Sequence, residues 1–303
     1  MIKHIKSLFR NRMHFFAVVG VLLSSNAAQA QLFEQDSVRL IARQFTFTEG
    51  PAVNAAGDVF FTDQPNNRIW KYSADKQLSL FMDHAGRANG MYFDKKGMLL
   101  ACADENNELW SVDPAGKVKI LVTEFQGKKL NGPNDLWVDP LGGIFLTDPY
   151  YQRDYWSRTG PEMDAQKVYY LPPGKNNHLQ VALSNLIKPN GIAGTPDGRF
   201  LYVADIEGNK TYRYNIGHGG KLTNQVVAAN QGADGITLDE KGNLYLSGKG
   251  VSIYNPNGNL IGHIDIKEPW TANVCFGGKN RSDLFITAGT AIYTVPMNVK
   301  GVE

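Results

Sequence analysis

One short pattern of polar and apolar positions recurs along the chain. A polar residue, usually followed by glycine, opens an apolar stretch that ends in a turn, with a glycine eight residues after the polar one. Five copies keep this spacing, and a sixth with a longer turn begins near Asn273. Their starting positions lie 39 to 56 residues apart, which is the period of a four-stranded propeller blade. The five regular copies are Glu49 to Gly57, Asn89 to Gly97, Asn134 to Gly142, Asn190 to Gly198 and Asp234 to Gly242.

The turns have the residues of β-hairpin connections. Asp, Asn or Thr stands first and glycine fourth, as in 94–97 (DKKG) and 239–242 (DEKG), which favours a type I turn closed by a residue in the left-handed region. A strand must then flank each turn, and the following residues are apolar, β-branched or aromatic, as in 199–205 (RFLYVAD). Apolar and polar residues alternate only weakly in these runs, as expected for sheets with both faces buried.

These patterns predict an all-β fold, a six-bladed β-propeller in which neighbouring sheets pack on one another. The sixth blade lacks an outer strand at the C-terminus, whereas the run 38–45 (VRLIARQF) precedes the first blade without a local partner. We expect this N-terminal strand to complete the last blade and close the ring. A β-sandwich is the alternative, but it would not require six copies in one register.

The first 30 residues have the pattern of a secretory signal peptide. A basic start is followed by the apolar run 15–23 and a polar stretch that ends in Ala28-Gln29-Ala30. We expect cleavage after Ala30, which leaves residues 31–303 as a single propeller domain, exported, not bound to a membrane, and periplasmic in a Gram-negative source. The alternative is an uncleaved anchor, but nine apolar residues fall short of the roughly 20 that span a bilayer.

The balance of charged residues argues against a nucleic-acid-binding protein. Lysine and arginine number 31 against 29 aspartates and glutamates, and four of the basic residues precede residue 31. The predicted mature chain is therefore almost neutral and has no basic stripe for phosphates, so nucleic acid is not an expected partner.

Cys102 and Cys275 lie in separate apolar runs. We expect two buried thiols, with a disulfide as the alternative in an oxidising compartment.

The recurring polar position predicts a metal site. The first strands of all blades run along the central channel in the same direction, so equivalent residues form a ring at one mouth. All six members carry a side-chain oxygen, which is the donor that Ca²⁺ prefers. We expect one divalent cation, Ca²⁺ ahead of Zn²⁺, Mn²⁺ or Mg²⁺, because no histidine occurs in the ring. The predicted ring consists of Glu49, Asn89, Asn134, Asn190, Asp234 and Asn273.

A different interpretation of this position is turn chemistry, since Asn-Gly and Asp-Gly are common turn dipeptides. Five copies in one phase argue against it. Glu49 argues against it further, because glutamate has no special turn preference.

Longer segments around the ring resemble the SMP-30/gluconolactonase/regucalcin-like (LRE) family over nearly the whole predicted mature chain. The matching segments are 47–51 (FTEGP), 127–135 (GKKLNGPND), 146–149 (LTDP), 188–192 (KPNGI), 201–205 (LYVAD) and 233–236 (ADGI). The resemblance implies that Glu49, Asn190 and Asp234 bind one divalent metal. It also implies that Asn134 faces metal or substrate and that Asp234 takes part in proton transfer during lactone hydrolysis.

Two positions depart from the pattern of that family. Bacterial gluconolactonases typically have Glu-His after the second strand of blade 2, where this chain reads 102–105 (CADE), and the animal branch has Arg where this chain has Gly132. The nearest basic residues are Arg87, Lys128 and Lys129. We expect the substrate to be bound by Asn89 and Asn134 of the ring, together with Arg87 and Lys129.

The loop 148–163 (DPYYQRDYWSRTGPEM) is long for a propeller connection and rich in Tyr, Trp and Arg. Aromatic faces and basic side chains suit a polyhydroxylated ligand, so we expect a lid or wall of the pocket. Tyr151 and Arg153 are the expected contacts, with Trp156 as a further candidate. The alternative is a surface loop packed on itself.

Together these features predict a metal-dependent hydrolase that opens a sugar lactone. A cation at the mouth would polarise the lactone carbonyl, and Asp234 would activate or orient water, since Ca²⁺ generates hydroxide poorly. Direct coordination would lower the pKa of Asp234 and weaken it as a base, so orientation stays an open role. The alternatives are hydrolysis of organophosphorus esters at the same site and a non-catalytic calcium-binding propeller with an exported protein partner.

Overall fold

The structure is a computed structural model that describes residues 31–302. The predicted signal peptide, residues 1–30, lies outside the described residues. Among the residues described, no helix has the length and apolar character needed to cross a membrane.

Almost all regular structure between residues 31 and 302 is β-strand. Short 3₁₀ helices occur at Gln35–Ser37, Gln64–Asn66 and His218–Gly220. The strands are β1 (Arg39–Ala42), β2 (Thr48–Val53), β3 (Val59–Asp63), β4 (Arg68–Tyr72), β5 (Leu78–Asp83), β6 (Ala88–Phe93), β7 (Leu99–Ala103), β8 (Glu108–Val112), β9 (Val118–Val122), β10 (Leu136–Val138), β11 (Ile144–Asp148), β12 (Lys167–Leu171), β13 (Gln180–Leu183), β14 (Pro189–Gly194), β15 (Phe200–Asp205), β16 (Lys210–Ile216), β17 (Leu222–Ala229), β18 (Ile236–Leu238), β19 (Leu244–Gly248), β20 (Gly250–Tyr254), β21 (Leu260–Ile264), β22 (Thr271–Gly277), β23 (Asp283–Ala288) and β24 (Ala291–Pro296).

The strands of residues 31–302 form six four-stranded antiparallel sheets, each of which is one blade. Blades 1 to 5 take four consecutive strands each, from β2–β5 to β18–β21, and blade 6 consists of β22, β23, β24 and β1. The innermost strands contact one another in sequence, and β22 returns to β2, so the ring is closed. The predicted six-bladed propeller is confirmed.

Ring closure by the N-terminal strand is also confirmed. Strand β1 pairs antiparallel with β24, with Arg39 opposite Thr294. The strand is shorter than the predicted run 38–45, because the chain leaves the rim after Ala42 and turns into the core. Phe45 is buried there, with its ring 5.2 Å from that of Phe61 in blade 1.

Burial rises from the rim to the axis. Strands β2, β14 and β22 are buried at every residue, whereas the outermost strands are partly exposed. The apolar clusters of residues 31–302 lie between neighbouring blades, as with Tyr245 of blade 5 and Phe276 of blade 6, whose rings are 5.2 Å apart. Packing on both faces explains the weak alternation in the sequence. Cys102 and Cys275 are buried thiols within this core, as predicted.

The predicted hairpin turns connect the two innermost strands of each blade. Asp94 shows why its position favours Asp or Asn: its Oδ1 accepts hydrogen bonds from the N–H groups of Lys96 at 2.8 Å and Met98 at 2.9 Å. Gly97 closes the turn at φ +78°, in the left-handed region where glycine is favoured. These turns mark one end of the inner strands, and the repeated polar residues mark the other.

Candidate active site

The polar residues of the repeat meet at one end of the inner strands. Glu49, Asn89 and Asn190 are each the second residue of their strands, and Asn273 is the third residue of β22. These four side chains are at most 5% exposed. In blade 3 the carbonyl of Asn134, two residues before β10, accepts a hydrogen bond from Gly90 N–H at 2.7 Å, which sets it beside blade 2.

Close packing of the inner strands explains the glycine that follows most ring residues. A Cβ on Gly50 would lie 1.9 Å from the carbonyl oxygen of Asn89, and one on Gly235 would lie 2.0 Å from Oδ1 of Asn273. The pairing of β2 with β3 shifts register just after Glu49, and β6 and β14 show the same irregularity. Such bulges re-aim side chains next to functional sites. In these strands the dipeptides are therefore bulged positions, and the turn interpretation is wrong for them.

Asp234 accepts a hydrogen bond on each oxygen of its carboxylate. Its Oδ1 accepts a hydrogen bond from Asn190 Nδ2 at 2.7 Å, and its Oδ2 accepts one from Trp270 Nε1 at 2.5 Å. Asn190 Nδ2 also donates to the hydroxyl of Tyr151 at 3.0 Å. The structure thus brings the predicted residues Asn190, Asp234 and Tyr151 together. Sequence reasoning missed Trp270, and a tryptophan directly before an inner strand was the only signal for it.

Burial makes both Glu49 and Asp234 costly to ionise. Burial, then the charge of Asp234, raises the pKa of Glu49 well above its usual value, although its Oε2 accepts a hydrogen bond from Gly50 N–H at 2.6 Å. Burial also raises the pKa of Asp234, to about 6, against the opposing hydrogen bonds of Trp270 and Asn190. Two acids with unfavourable ionisation at one site are typical of functional sites.

Asp135 is a third axial carboxylate, and the sequence analysis gave it no role. It occupies the position that is glycine in most blades, and its Oδ2 accepts a hydrogen bond from Asn273 Nδ2 of the opposite blade at 3.3 Å. A Cβ on Gly90 would lie 2.4 Å from Asp135 Oδ1, so the glycine leaves room for this carboxylate. Burial raises the pKa of Asp135 to about 7. The signal in the sequence was an acid that breaks the glycine pattern.

The donors at the ring fit a hard divalent cation. Oδ1 of Asn190 and Oδ1 of Asn89 are buried without a hydrogen-bond partner. A cation would satisfy such amide oxygens and offset the repulsion between Glu49 and Asp234. Within residues 31–302 no three His, Cys, Asp or Glu side chains form a cluster suited to a metal. A cation held at the ring would therefore require amide oxygens beside the carboxylates.

The loop 148–163 is anchored on a buried carboxylate of blade 2. Asp104, 2% exposed, accepts hydrogen bonds on Oδ2 from Arg153 Nε at 2.8 Å and from the hydroxyl of Tyr155 at 2.6 Å. Its backbone carbonyl accepts a third from Trp156 Nε1 at 2.8 Å. Burial raises the pKa of Asp104, and the charge of Arg153 opposes this rise. The loop is therefore fixed by one acid that the sequence analysis did not single out.

Tyr151 carries the same loop to the ring. Two cations lie close to its aromatic ring, with Lys188 Nζ 4.3 Å and the guanidinium carbon of Arg153 5.7 Å from the centroid. Its hydroxyl meets Asn190, and burial raises the pKa of that hydroxyl. The loop therefore packs on blade 2 through Asp104 and reaches the ring through Tyr151. Its role as a lid or wall of a pocket stays a prediction.

A protein-family model described as the SMP-30/gluconolactonase/LRE-like region matches residues 47–290. The chain belongs to this family. A gluconolactonase of Zymomonas mobilis is 28% identical, over 94% of this chain and 88% of its own length.

Two solved structures show the same family at fold level. The chain matches a gluconolactonase of Xanthomonas campestris with a TM-score of 0.79 and 29% identity, over 86% of this chain and 89% of that one. A protein proposed to be a gluconolactonase matches with a TM-score of 0.82 and 32% identity, over 90% and 96%.

In this member of the SMP-30/gluconolactonase/LRE-like family, two predicted substrate contacts lie away from the ring. Arg87 donates to the carbonyl of Pro65 at 2.8 Å, and its guanidinium stacks 4.3 Å from the ring centroid of Tyr155, so it supports the loop. The side chain of Lys129 is exposed, while its backbone N–H donates to Glu162 Oε2 at 2.9 Å. The structure does not bring these two residues to Asp234, and their substrate roles stay predictions.

Proposed function

We propose that this protein is a gluconolactonase-like hydrolase that opens a sugar lactone at the ring. Family membership and the near full-length match to the Zymomonas mobilis gluconolactonase support a lactone hydrolase. The observation that carries the proposal is Asp234, a half-buried carboxylate that accepts a hydrogen bond from Asn190 at 2.7 Å and whose charge helps raise the pKa of Glu49. These are the residues to which the resemblance assigns the metal and the proton transfer.

Glu49, Asn190, Asp234 and Asn134 would hold one divalent cation, and Ca²⁺ suits their all-oxygen donor set. When bound, the cation supplies Lewis acidity that polarises the lactone carbonyl and stabilises charge on its oxygen. The unpartnered Oδ1 of Asn190 supports this assignment.

The residues of the chain supply orientation and proton transfer. Hydrolysis forms a bond between water oxygen and the carbonyl carbon and breaks the bond between that carbon and the ring oxygen. As a base, Asp234 accepts the proton of the water and returns it to the ring oxygen, which leaves as an alcohol. As an orienting group, Asp234 accepts a hydrogen bond from the water, whose proton passes to solvent while solvent protonates the ring oxygen. Tyr151 and Arg153 would form the wall that faces a sugar, and cation–π contacts with Arg153 and Lys188 would steady the aromatic ring of Tyr151.

The test is acid release from a panel of aldonolactones, with and without chelator. The substitutions Asp234→Asn and Glu49→Gln should each lower kcat/KM by about 10²- to 10⁴-fold, the usual contribution of a positioned acid or base. Chelation should abolish activity, and added Ca²⁺ should restore it. An organophosphorus ester in the panel separates the alternative substrate class. Lactone hydrolysis that survives both chelation and the substitutions would contradict the proposal.

We further propose that the enzyme works after export and removal of residues 1–30. The basic start, apolar run and Ala28-Gln29-Ala30 support this location. Mass spectrometry of the protein from a periplasmic extract should give Gln31 as the first residue, and an intact Met1 in that fraction would count against cleavage.

A further inference from the structure

Trp270 contacts Asp234, the proposed catalytic carboxylate, but has no role in the proposed hydrolysis. Its indole N–H donates to Oδ2 of Asp234 at 2.5 Å, while Oδ1 of the same carboxylate meets Asn190. The two oxygens of Asp234 are thus held by two donors of different kinds.

The segment that carries Trp270 is fixed independently of Asp234. Two residues earlier, the side chain of Glu268 is 5% exposed and lies 2.5 Å from Arg43 Nη2. The hydroxyl of Tyr293 donates to the same Glu268 oxygen at 2.7 Å. Arg43 belongs to the N-terminal segment that closes the ring, so the indole is aimed from a rigid part of blade 6.

The difference between the two donors decides what each can do. The side-chain amide of Asn190 can donate or accept, and its Oδ1 is buried without a hydrogen-bond partner. A bound cation would favour rotation of this amide, because the rotation would let Oδ1 bind the cation. An indole N–H only donates. The indole therefore always occupies one lone pair of Asp234 Oδ2, whereas rotation of the Asn190 amide frees Oδ1.

We infer that Trp270 is a positioning residue that fixes Asp234 through Oδ2 and leaves Oδ1 as the oxygen available to a cation or a water molecule. The indole sets the angle of the carboxylate and does not touch the reacting atoms. This inference rests on the proposed function for its kinetic consequence only, because the effect on cation binding can be measured without any substrate.

The test compares Trp270→Phe with Trp70→Phe as a matched control. Both substitutions remove an indole, but Nε1 of Trp70 is buried without a hydrogen-bond partner. Trp270→Phe should weaken Ca²⁺ binding in calorimetry by about tenfold, in line with the loss of a hydrogen bond to a charged group. With glucono-1,5-lactone, kcat should fall about tenfold or more and KM should change less than threefold. Trp70→Phe should stay within about twofold of wild type in both.

Tryptophan emission gives a signature that a purely structural role would not produce. Ca²⁺ should change the emission of wild type and Trp70→Phe, and this change should be absent in Trp270→Phe. Trp270→His is the second variant if Trp270→Phe fails to fold, because its ring N–H can still donate to Oδ2 of Asp234. It should keep Ca²⁺ affinity within about threefold of wild type, and a roughly tenfold loss in folded Trp270→His would contradict the inference. Equal Ca²⁺ affinity and kcat in the two Trp→Phe variants, or no Ca²⁺ response in wild type, would overturn the inference. Wild type that binds Ca²⁺ but hydrolyses no lactone would contradict the proposed function alone.

Discussion

The two ends of the inner strands differ in both packing and polarity. At the ring end the strands approach so closely that a Cβ on Gly50 would lie 1.9 Å from a backbone oxygen of the next blade. At the turn end they diverge around a channel of about 380 Å³, whose walls include Met91, Trp137, Ile192 and Val274. The wide end is mostly apolar, and its buried acids, Asp139 and Asp239, accept hydrogen bonds within their own turns. The narrow end instead carries Glu49 and Asp234, whose pKa values are raised.

This contrast shows why the chemistry belongs to the narrow end. Charged groups are costly to bury unless they are paired or bind a metal, and a fold retains such groups where they serve a function. Asp135 lies at the boundary, since it lines the channel and also raises the pKa of Glu49. The apolar channel is thus not the better candidate site, and substitutions at the two ends should have different consequences.

The largest effect is expected from Gly50→Ala at the narrow end. The new Cβ would meet the backbone of Asn89, which cannot move without shifting blade 2, and Gly50 has φ +44°, where other residues are strained. We expect a loss of more than about 4 kcal/mol in the free energy of unfolding, measured by urea denaturation, or no soluble protein.

Gly97→Ala is the matched control for this loss. It also has positive φ, at +78°, but a Cβ there would meet no atom within 4 Å. The control should lose only about 1 kcal/mol. Equal losses in both variants would show that backbone conformation matters here and close packing does not.

A smaller effect on stability is expected from Leu238→Ala at the wide end. Leu238 is 3% exposed and lines the channel. Its truncation should cost about 2 to 5 kcal/mol in urea denaturation, while activity per folded molecule stays within about twofold. Asp234→Asn, four positions earlier, should show the reverse, with activity lost and cation-free stability changed by less than about 1 kcal/mol. A loss of activity in folded Leu238→Ala would contradict this separation and show that the channel at the wide end also contributes to activity.

The sequence was sufficient for the fold because the propeller is encoded locally and repeatedly. Each turn begins with Asp, Asn or Thr and ends with glycine, and each copy of the repeat keeps the same spacing, so it specifies the strand register again. The closing strand was predictable by elimination, since 38–45 had no local partner. Its early end at Ala42 was not, because the inward turn depends on the burial of Phe45 against blade 1.

The site was predictable only where it shares the repeat. Ring positions followed from register, but Trp270 and Asp104 act across blades through hydrogen bonds that no periodicity records. Arg87 was selected for its charge and proximity in sequence. Its side chain instead stacks on Tyr155, because the loop 148–163 folds over blade 2 and covers it.

The anchor of that loop offers the next test of the narrow end. Asp104→Asn removes the charge that holds Arg153 and weakens the bond to Tyr155. We expect a loss of about 1.5 to 3 kcal/mol in stability and a rise in KM of about tenfold with little change in kcat, since the wall loosens and Asp234 does not. Asp83→Asn, which breaks an exposed pair with Arg68, should cost less than about 1 kcal/mol. An unchanged KM would show that the wall does not bind substrate.

The smallest effect concerns the pH dependence of stability at Asp148, below the same loop. Burial raises its pKa to about 7, against hydrogen bonds from the backbone of Gly132 and Asn131. The folded state therefore binds more protons than the unfolded state between about pH 4 and pH 7, and this residue's contribution to stability falls as pH rises through that window.

Asp148→Asn should accordingly cost less at about pH 8 than at about pH 5 in urea denaturation of chelated protein. Asp75→Asn is the control: the pKa of Asp75 is lowered by Lys279, so it is ionised in both states at both pH values and its cost should be the same. If the cost of Asp148→Asn is also the same at both pH values, then Asp148 is ionised in the folded protein near pH 5 and its burial is compensated by its hydrogen bonds.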